Sequence, residues 1–332
     1  MSALKKKTFT VRRLLPVVLS AFIVALALRF LQHGGMRQLN VSDVLRALQD
    51  IPLIGAIAGA FLVLVLYGSL ALCEAIIAGV VAGPVSPRRA AMGGFLASSI
   101  GHVLGLGAVS GGAIRYRIYS AVGMRPLDIG KMILLAAIPY PAGLGILLSL
   151  SLLVQADAAA PLLHTSAALA RGIGFALVAL HLGYLTLVLR HRGPLHLGKY
   201  QVPLPPPRLT AVQYIVGVVE VTCGASILYF LLPAGANLPF TVYMGVYVIS
   251  ILAGLASGLP AGLGVFDVAM VALLPNLHPA QVAAVVIVYR GLLEAGPFLF
   301  ALVLFSAYEI WWRLPTQRAR AAAVEAEEAE LD

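Results

Sequence analysis

Charge is what this sequence has least of. Only 11% of its 332 residues are charged, whereas 60% are hydrophobic. Soluble domains carry about 25% charged residues, so the composition argues against an ordinary soluble fold and places the chain among membrane proteins. Cysteine is almost missing: Cys73 and Cys223 are the two, each inside an apolar run. They give no support to a disulfide framework and read as small buried hydrophobes. No histidines and cysteines stand at metal-site spacing, and no Gly-rich phosphate loop of nucleotide-binding type is present. No metal and no cofactor is expected. Acid is scarce except at the end, where Glu325, Glu327, Glu328, Glu330 and Asp332 sit among the last twelve residues without a base. The whole chain carries +9, so the rest carries +14. On a membrane protein that excess marks cytoplasmic loops and contact with anionic lipid, and nucleic acid is not an expected partner.

What is present is a series of apolar runs. The first, residues 14–31, follows Lys5–Lys7, Arg12 and Arg13 and imitates a signal peptide. With several spans after it, it reads as an uncleaved first membrane helix. Residues 32–50 are polar, with Val41, Val44, Leu45 and Leu48 at helical spacing, which predicts a short interfacial helix. Further spans are predicted over 51–81, 133–154 (kinked at Pro139 and Pro141), 167–189, 211–232, 242–257 and 280–308. A basic, proline-rich loop over 190–208 links the two halves, about 1–190 and 209–313. The expectation is all-α: one integral membrane domain over 1–320 with about eight membrane elements. Trp311, Trp312 and Arg313 would anchor it at the interface, and 321–332 would form a disordered acidic tail.

Two segments break this regularity. Residues 92–113 hold Gly93, Gly94, Gly101, Gly105, Gly107, Gly111 and Gly112. Each glycine costs a helix roughly 1 kcal/mol against alanine, which favours two half-helices over one straight span. Residues 258–274, GLPAGLGVFDVAMVALL, form the second. The basic stretches at the N-terminus, Arg88–Arg89, 115–131, 190–208 and 313–320 should share the cytoplasmic side, with both termini there. The first segment must then enter and return, and the second must cross as a short helix. Gly105-Leu106-Gly107-Ala108 against Gly258-Leu259-Pro260-Ala261 is a weak internal likeness. Broken segments in corresponding places are the mark of an inverted repeat with a binding site between the halves.

Ionisable residues at membrane depth cost about 2.5–3.5 kcal/mol each on insertion scales and call for a reason. They are Glu74, His102, His181, Glu220, Asp267, Arg290 and Glu294. Arg290 and Glu294 stand four apart and can neutralise each other. Asp267 would pair with a base of the first Gly-rich segment. His181 reads as a hydrogen-bonded interior residue. Ser110 lacks a base and orienter, which argues against nucleophilic catalysis. Arg115 and Arg117 suit phosphate, since a guanidinium grips it through two parallel bonds. They are also ordinary topology signals, and their two-residue spacing puts them on different helix faces.

The run Ser110-Gly111-Gly112-Ala113-Ile114-Arg115-Tyr116-Arg117-Ile118-Tyr119-Ser120 resembles a signature of the bacterial phosphatidylglycerol lysyltransferase/flippase (multiple peptide resistance factor) family. The stretch 257–267 is similar to its second Gly-rich motif, and Tyr289-Arg290 and Pro297 match its last span. Departures are Asp267, Ala261, His102 and Gly68, where glutamate, glycine, asparagine and an acid are expected. The resemblance implies the membrane domain alone, without the soluble synthase domain. It implies a non-enzymatic inner-membrane flippase for lysyl- or other aminoacyl-phosphatidylglycerol, which contributes to resistance to cationic peptides. Arg115 and Arg117 would hold phosphate, and Tyr116, Gly111, Gly112, Ser110 and His102 would belong to the same substrate-binding site. Asp267, Glu294 or Glu220 would meet a cationic group, and Arg290 would position Glu294 or bind phosphate itself. A separately encoded synthase and a second copy are the expected protein partners. The alternatives are a membrane transferase using Asp267 or Glu74 as base, and a membrane subunit that docks a synthase.

Overall fold

A computed structural model describes residues 41–310, apart from 82, 105–106, 158–159, 161–164, 192, 198–199, 234–235, 237 and 260–261. The expected first span, the tryptophan anchor and the acidic tail lie outside the described residues. The chain is an all-α polytopic membrane protein. Six helical segments among the described residues are long and apolar enough to cross a bilayer: Leu53–Val81, Pro126–Val154, Ala167–Arg190, Pro207–Leu231, Phe240–Ser257 and Pro279–Tyr308.

Helix α1 (Val41–Gln49) is the short helix expected before the second span, and α2 (Leu53–Val81) is that span. Helices α3 (Pro87–Leu104) and α4 (Gly107–Ser120) follow, then α5 (Pro126–Ala136), α6 (Pro139–Val154) and α7 (Ala167–Arg190). After the central loop come α8 (Pro207–Leu231), α9 (Phe240–Ser257), α10 (Val265–Leu273) and α11 (Pro279–Arg290). A π-helical turn (Gly291–Ala295) leads into α12 (Gly296–Tyr308). Pro87, Pro126, Pro139, Pro207 and Pro279 each open a helix, where a missing N–H costs nothing. Pro139 also explains the expected kink, because the span bends at Ala137 and Ile138 between α5 and α6.

The first Gly-rich segment enters and returns. Helices α3 and α4 pack against each other, and the Tyr119 hydroxyl near the end of α4 donates to the Ala90 carbonyl in the first turn of α3 at 3.3 Å. Arg117 is bonded to Glu309 at the far end of α12. The hairpin therefore opens on the side where α2 and α12 end.

The second segment differs from the expectation of a short crossing. Helix α10 has nine residues, about 13 Å at 1.5 Å per residue, less than half of the ~30 Å hydrocarbon core. Helix α9 starts beside the end of α8, where Phe230 abuts Gly55 of α2, and α11 starts against α1. So α9 and α10 form a hairpin entered from the opposite side to the first. Gly254 and Gly262 let its arms close. A methyl built on Gly262 (φ +61°) would lie 2.9 Å from Gly254 Cα, and that backbone disfavours any side chain. Opposed entry of two broken hairpins is the geometry of inverted-topology repeats.

The central loop holds a feature not expected from the sequence. β1 (Leu195–Leu197) pairs antiparallel with β2 (Tyr200–Val202), His196 facing Gln201. Each strand alternates apolar and polar residues, a period-two signal too short to stand out beside the prolines.

Candidate functional site

The tips of the two hairpins meet at a cavity of about 510 Å³, within the size range of small-molecule sites. Gly101 and His102 of α3 line one wall, and Gly254, Gly258 and Gly262 line another. Glu220, halfway along α8, lies between them. The first turn of α6 contributes Tyr140 and Pro141, and the π-helical turn contributes Glu294.

Arg115 reaches the cavity as half of a buried ion pair. Its Nε and Nη2 donate to Glu74 Oε1 and Oε2, both at 2.8 Å. The Tyr119 hydroxyl donates to the same Oε1 at 2.9 Å. Arg115 is 7% exposed and Glu74 2%. Two adjacent glycines let α3 come this close: a methyl on Gly93 would lie 2.6 Å from the Tyr119 oxygen, and one on Gly94 2.5 Å from Glu74 Cβ. The bidentate fork uses Nε and Nη2, so Glu74 does not engage Nη1.

A second cluster sits under α10. Arg290 Nε donates to Asp267 Oδ1 at 2.9 Å, and Nη1 donates to Glu294 at 3.0 Å. The guanidinium also lies over the Phe266 ring, 5.7 Å from its centroid. Asp267 Oδ2 accepts from the Gly264 N–H at 2.9 Å, capping α10. Asp267 thus pairs with the last span, a correction to the expected partner in the first Gly-rich segment. The expected Arg290–Glu294 pair is formed. The π-helical turn widens the helix at Glu294 and turns it to the cavity.

The structure separates the other candidates. His102 Nε2 stands 3.6 Å from Glu220 Oε1, and both line the cavity. Gly111 and Gly112 are buried behind it: a methyl on Gly111 would meet the Ala97 carbonyl oxygen at 2.8 Å, and one on Gly112 would meet Ile133. Ser110 is half-buried on α4, outside the cavity wall. Arg117 and Tyr116 are not brought to the cavity: the Arg117 side chain is 52% exposed on its bond to Glu309, and Tyr116 is 51% exposed. A helix turns about 200° over two residues, so one arginine of the pair had to face away. His181 is hydrogen-bonded as expected but only part-buried, its Nδ1 3.0 Å from the Tyr214 hydroxyl.

Sequence reasoning missed the Arg115–Glu74 pair and the aromatic wall. Tyr247 and Tyr289, hydroxyl to hydroxyl at 2.8 Å, both line the cavity. Glu74 carried the available signal, as a carboxylate in an apolar span needs a cation.

Known proteins place this geometry in context. No family model matches the chain. It is 29% identical over 218 residues to an uncharacterized protein of Synechocystis, covering 65% of this chain and 68% of that one. It is 27% identical over 216 residues to the inner membrane protein YbhN of Escherichia coli, covering 60% of this chain and 64% of YbhN. A 93-residue stretch, 27% of this chain, is 34% identical to the phosphatidylglycerol lysyltransferase of Staphylococcus xylosus. That match spans 11% of the lysyltransferase. The chain is thus distantly homologous to these proteins, and both its apolar helices and the YbhN likeness mark it as a membrane protein.

Proposed function

We propose that this protein moves a phospholipid between the leaflets of a bacterial inner membrane, with aminoacylated phosphatidylglycerol as cargo. One observation carries the reading. Two broken hairpins enter from opposite sides and end at one cavity that mixes a guanidinium, carboxylates and apolar walls. Such a site suits a zwitterionic head group whose acyl chains stay in the bilayer. Arg115 would offer its Nη1, which Glu74 does not engage, to the phosphate. Glu294, with Asp267 behind it, would meet the ammonium, and Arg290 would position both carboxylates. Arg88, Arg89, Lys131, Arg190 and Arg208 lie towards the side where α2 ends, which supports a cytoplasmic assignment for that side and for the C-terminus. Exposure of a lysyl lipid outside would lower the negative surface charge and weaken binding of cationic peptides. The likeness of a 93-residue stretch to a lysyltransferase supports the lipid class. A transferase reading has less support, since Glu74 and Asp267, the carboxylates that would act as base, are each bonded to an arginine.

Leaflet exchange in proteoliposomes tests the proposal. Labelled lysyl-phosphatidylglycerol should exchange faster than in empty vesicles, and faster than plain phosphatidylglycerol. Equal exchange of both lipids would remove the aminoacyl preference. No exchange above empty vesicles would overturn autonomous translocation.

A further inference from the structure

The reading above leaves one buried acid without a task. Glu220 is 5% exposed, lies halfway along α8 and lines the cavity. Its Oε2 has no hydrogen-bond partner among the described residues. Its Oε1 stands 3.6 Å from Nε2 of the His102 ring. An ionisable group at membrane depth without a fixed counter-ion is an expected place for a proton pathway.

The surroundings leave the charge of Glu220 uncompensated. From α3 it faces His102, and from α4 Arg115, whose Nε and Nη2 are both taken by Glu74. From α2 come Tyr67, whose ring packs on His102, and Cys73 and Glu74 behind it. Helix α6 presents Tyr140, α9 Tyr247, α11 Tyr289, and the π-helical turn Glu294. Helix α5 presents Ile133 and Ala136, which do not titrate. In and behind the wall, four carboxylates (Glu74, Glu220, Glu294, Asp267) face two guanidiniums (Arg115, Arg290), an excess of two negative charges when all are ionised.

We propose that Glu220 carries a proton through the cavity and that the protein exchanges protons for lipid. A proton entering from one side binds Glu220 Oε2 and leaves to the other side. The cationic head group occupies the same negative cavity in the opposite step. Proton and head group compete because each lowers the one charge excess that holds the other. The inference rests on the proposed translocation.

The test uses the full chain in proteoliposomes holding labelled lysyl-phosphatidylglycerol, with the membrane potential clamped at zero and a pH difference of one unit. One proton per lipid predicts about tenfold enrichment in the leaflet facing the acidic side, accompanied by proton flux towards the basic side. Glu220→Gln should abolish both the proton flux and the enrichment. The acid-minus-alkaline infrared spectrum should lose a carboxylic-acid band in this variant, and Glu220→Asp should restore the band with a shifted pH profile. Wild-type exchange that stays symmetric across the gradient would overturn the coupling and leave the translocation standing. Enrichment on the basic side, or tenfold enrichment retained by Glu220→Gln, would also overturn it. No exchange by wild type with any lipid would overturn both this inference and the reading beneath it.

Discussion

The two hairpins do the same topological job with different means. The α3–α4 hairpin is fastened to α2 by a buried ion pair. Its buried Arg115 and its Tyr119 both donate to Glu74 of α2, and Gly93 and Gly94 bring α3 against Tyr119 and Glu74. The α9–α10 hairpin has one short arm, α10, turns through left-handed glycines and is held by the part-exposed Asp267–Arg290–Glu294 cluster. The charges are therefore more deeply buried in the first hairpin than in the second. The lesson is that a buried ion pair and a binding charge can share one cavity wall while answering to different forces. The first depends on desolvation, the second on what occupies the cavity.

Breaking the first hairpin should have the largest effect. Glu74→Ala leaves Arg115 buried without its partner, which costs about 3–5 kcal/mol, and should show as a large loss of thermal stability in detergent. Replacing both residues by methionine should recover most of that loss. The same unfolding measurement on Gly262→Ala should show a smaller penalty, about 1–2 kcal/mol for a left-handed alanine, with added strain from the contact to Gly254. Asp267→Ala removes the α10 cap, worth about 1 kcal/mol, and frees Arg290. It should disturb lipid exchange more than folding. Arg117→Ala sets the lower limit of the comparison. Its pair with Glu309 is half-exposed, so stability should change by under about 1 kcal/mol. A larger loss there than at Glu74 would reverse the ranking of the two sites.

Much of this architecture was legible in the sequence. Hydropathy gave the described spans, proline gave the kink at Pro139, and glycine clustering gave the two broken segments. The four-residue spacing gave the Arg290–Glu294 pair. What stayed hidden was long-range. Glu74 lies 41 residues from Arg115, and Glu309 lies 192 from Arg117. No local period tells which of two neighbouring arginines meets which acid. The short α10 was hidden for a related reason: an apolar run long enough to cross loses half its helical length to a turn that begins at Gly258. The uncompensated state of Glu220 became visible only with its neighbours in place, because apolarity around an acid signals burial and not the absence of a cation.

The central claim is that the cavity at the hairpin tips, and not the basic surface beside it, receives the head group. The most direct measurement is lysyl-phosphatidylglycerol exchange by Glu294→Gln and Arg117→Ala, side by side with wild type. Arg117→Ala should match wild type. Glu294→Gln should be slower by about tenfold, the loss of one charge-assisted hydrogen bond. Slow exchange by Arg117→Ala with unchanged exchange by Glu294→Gln would contradict the account and move the head group to the exposed face of α4.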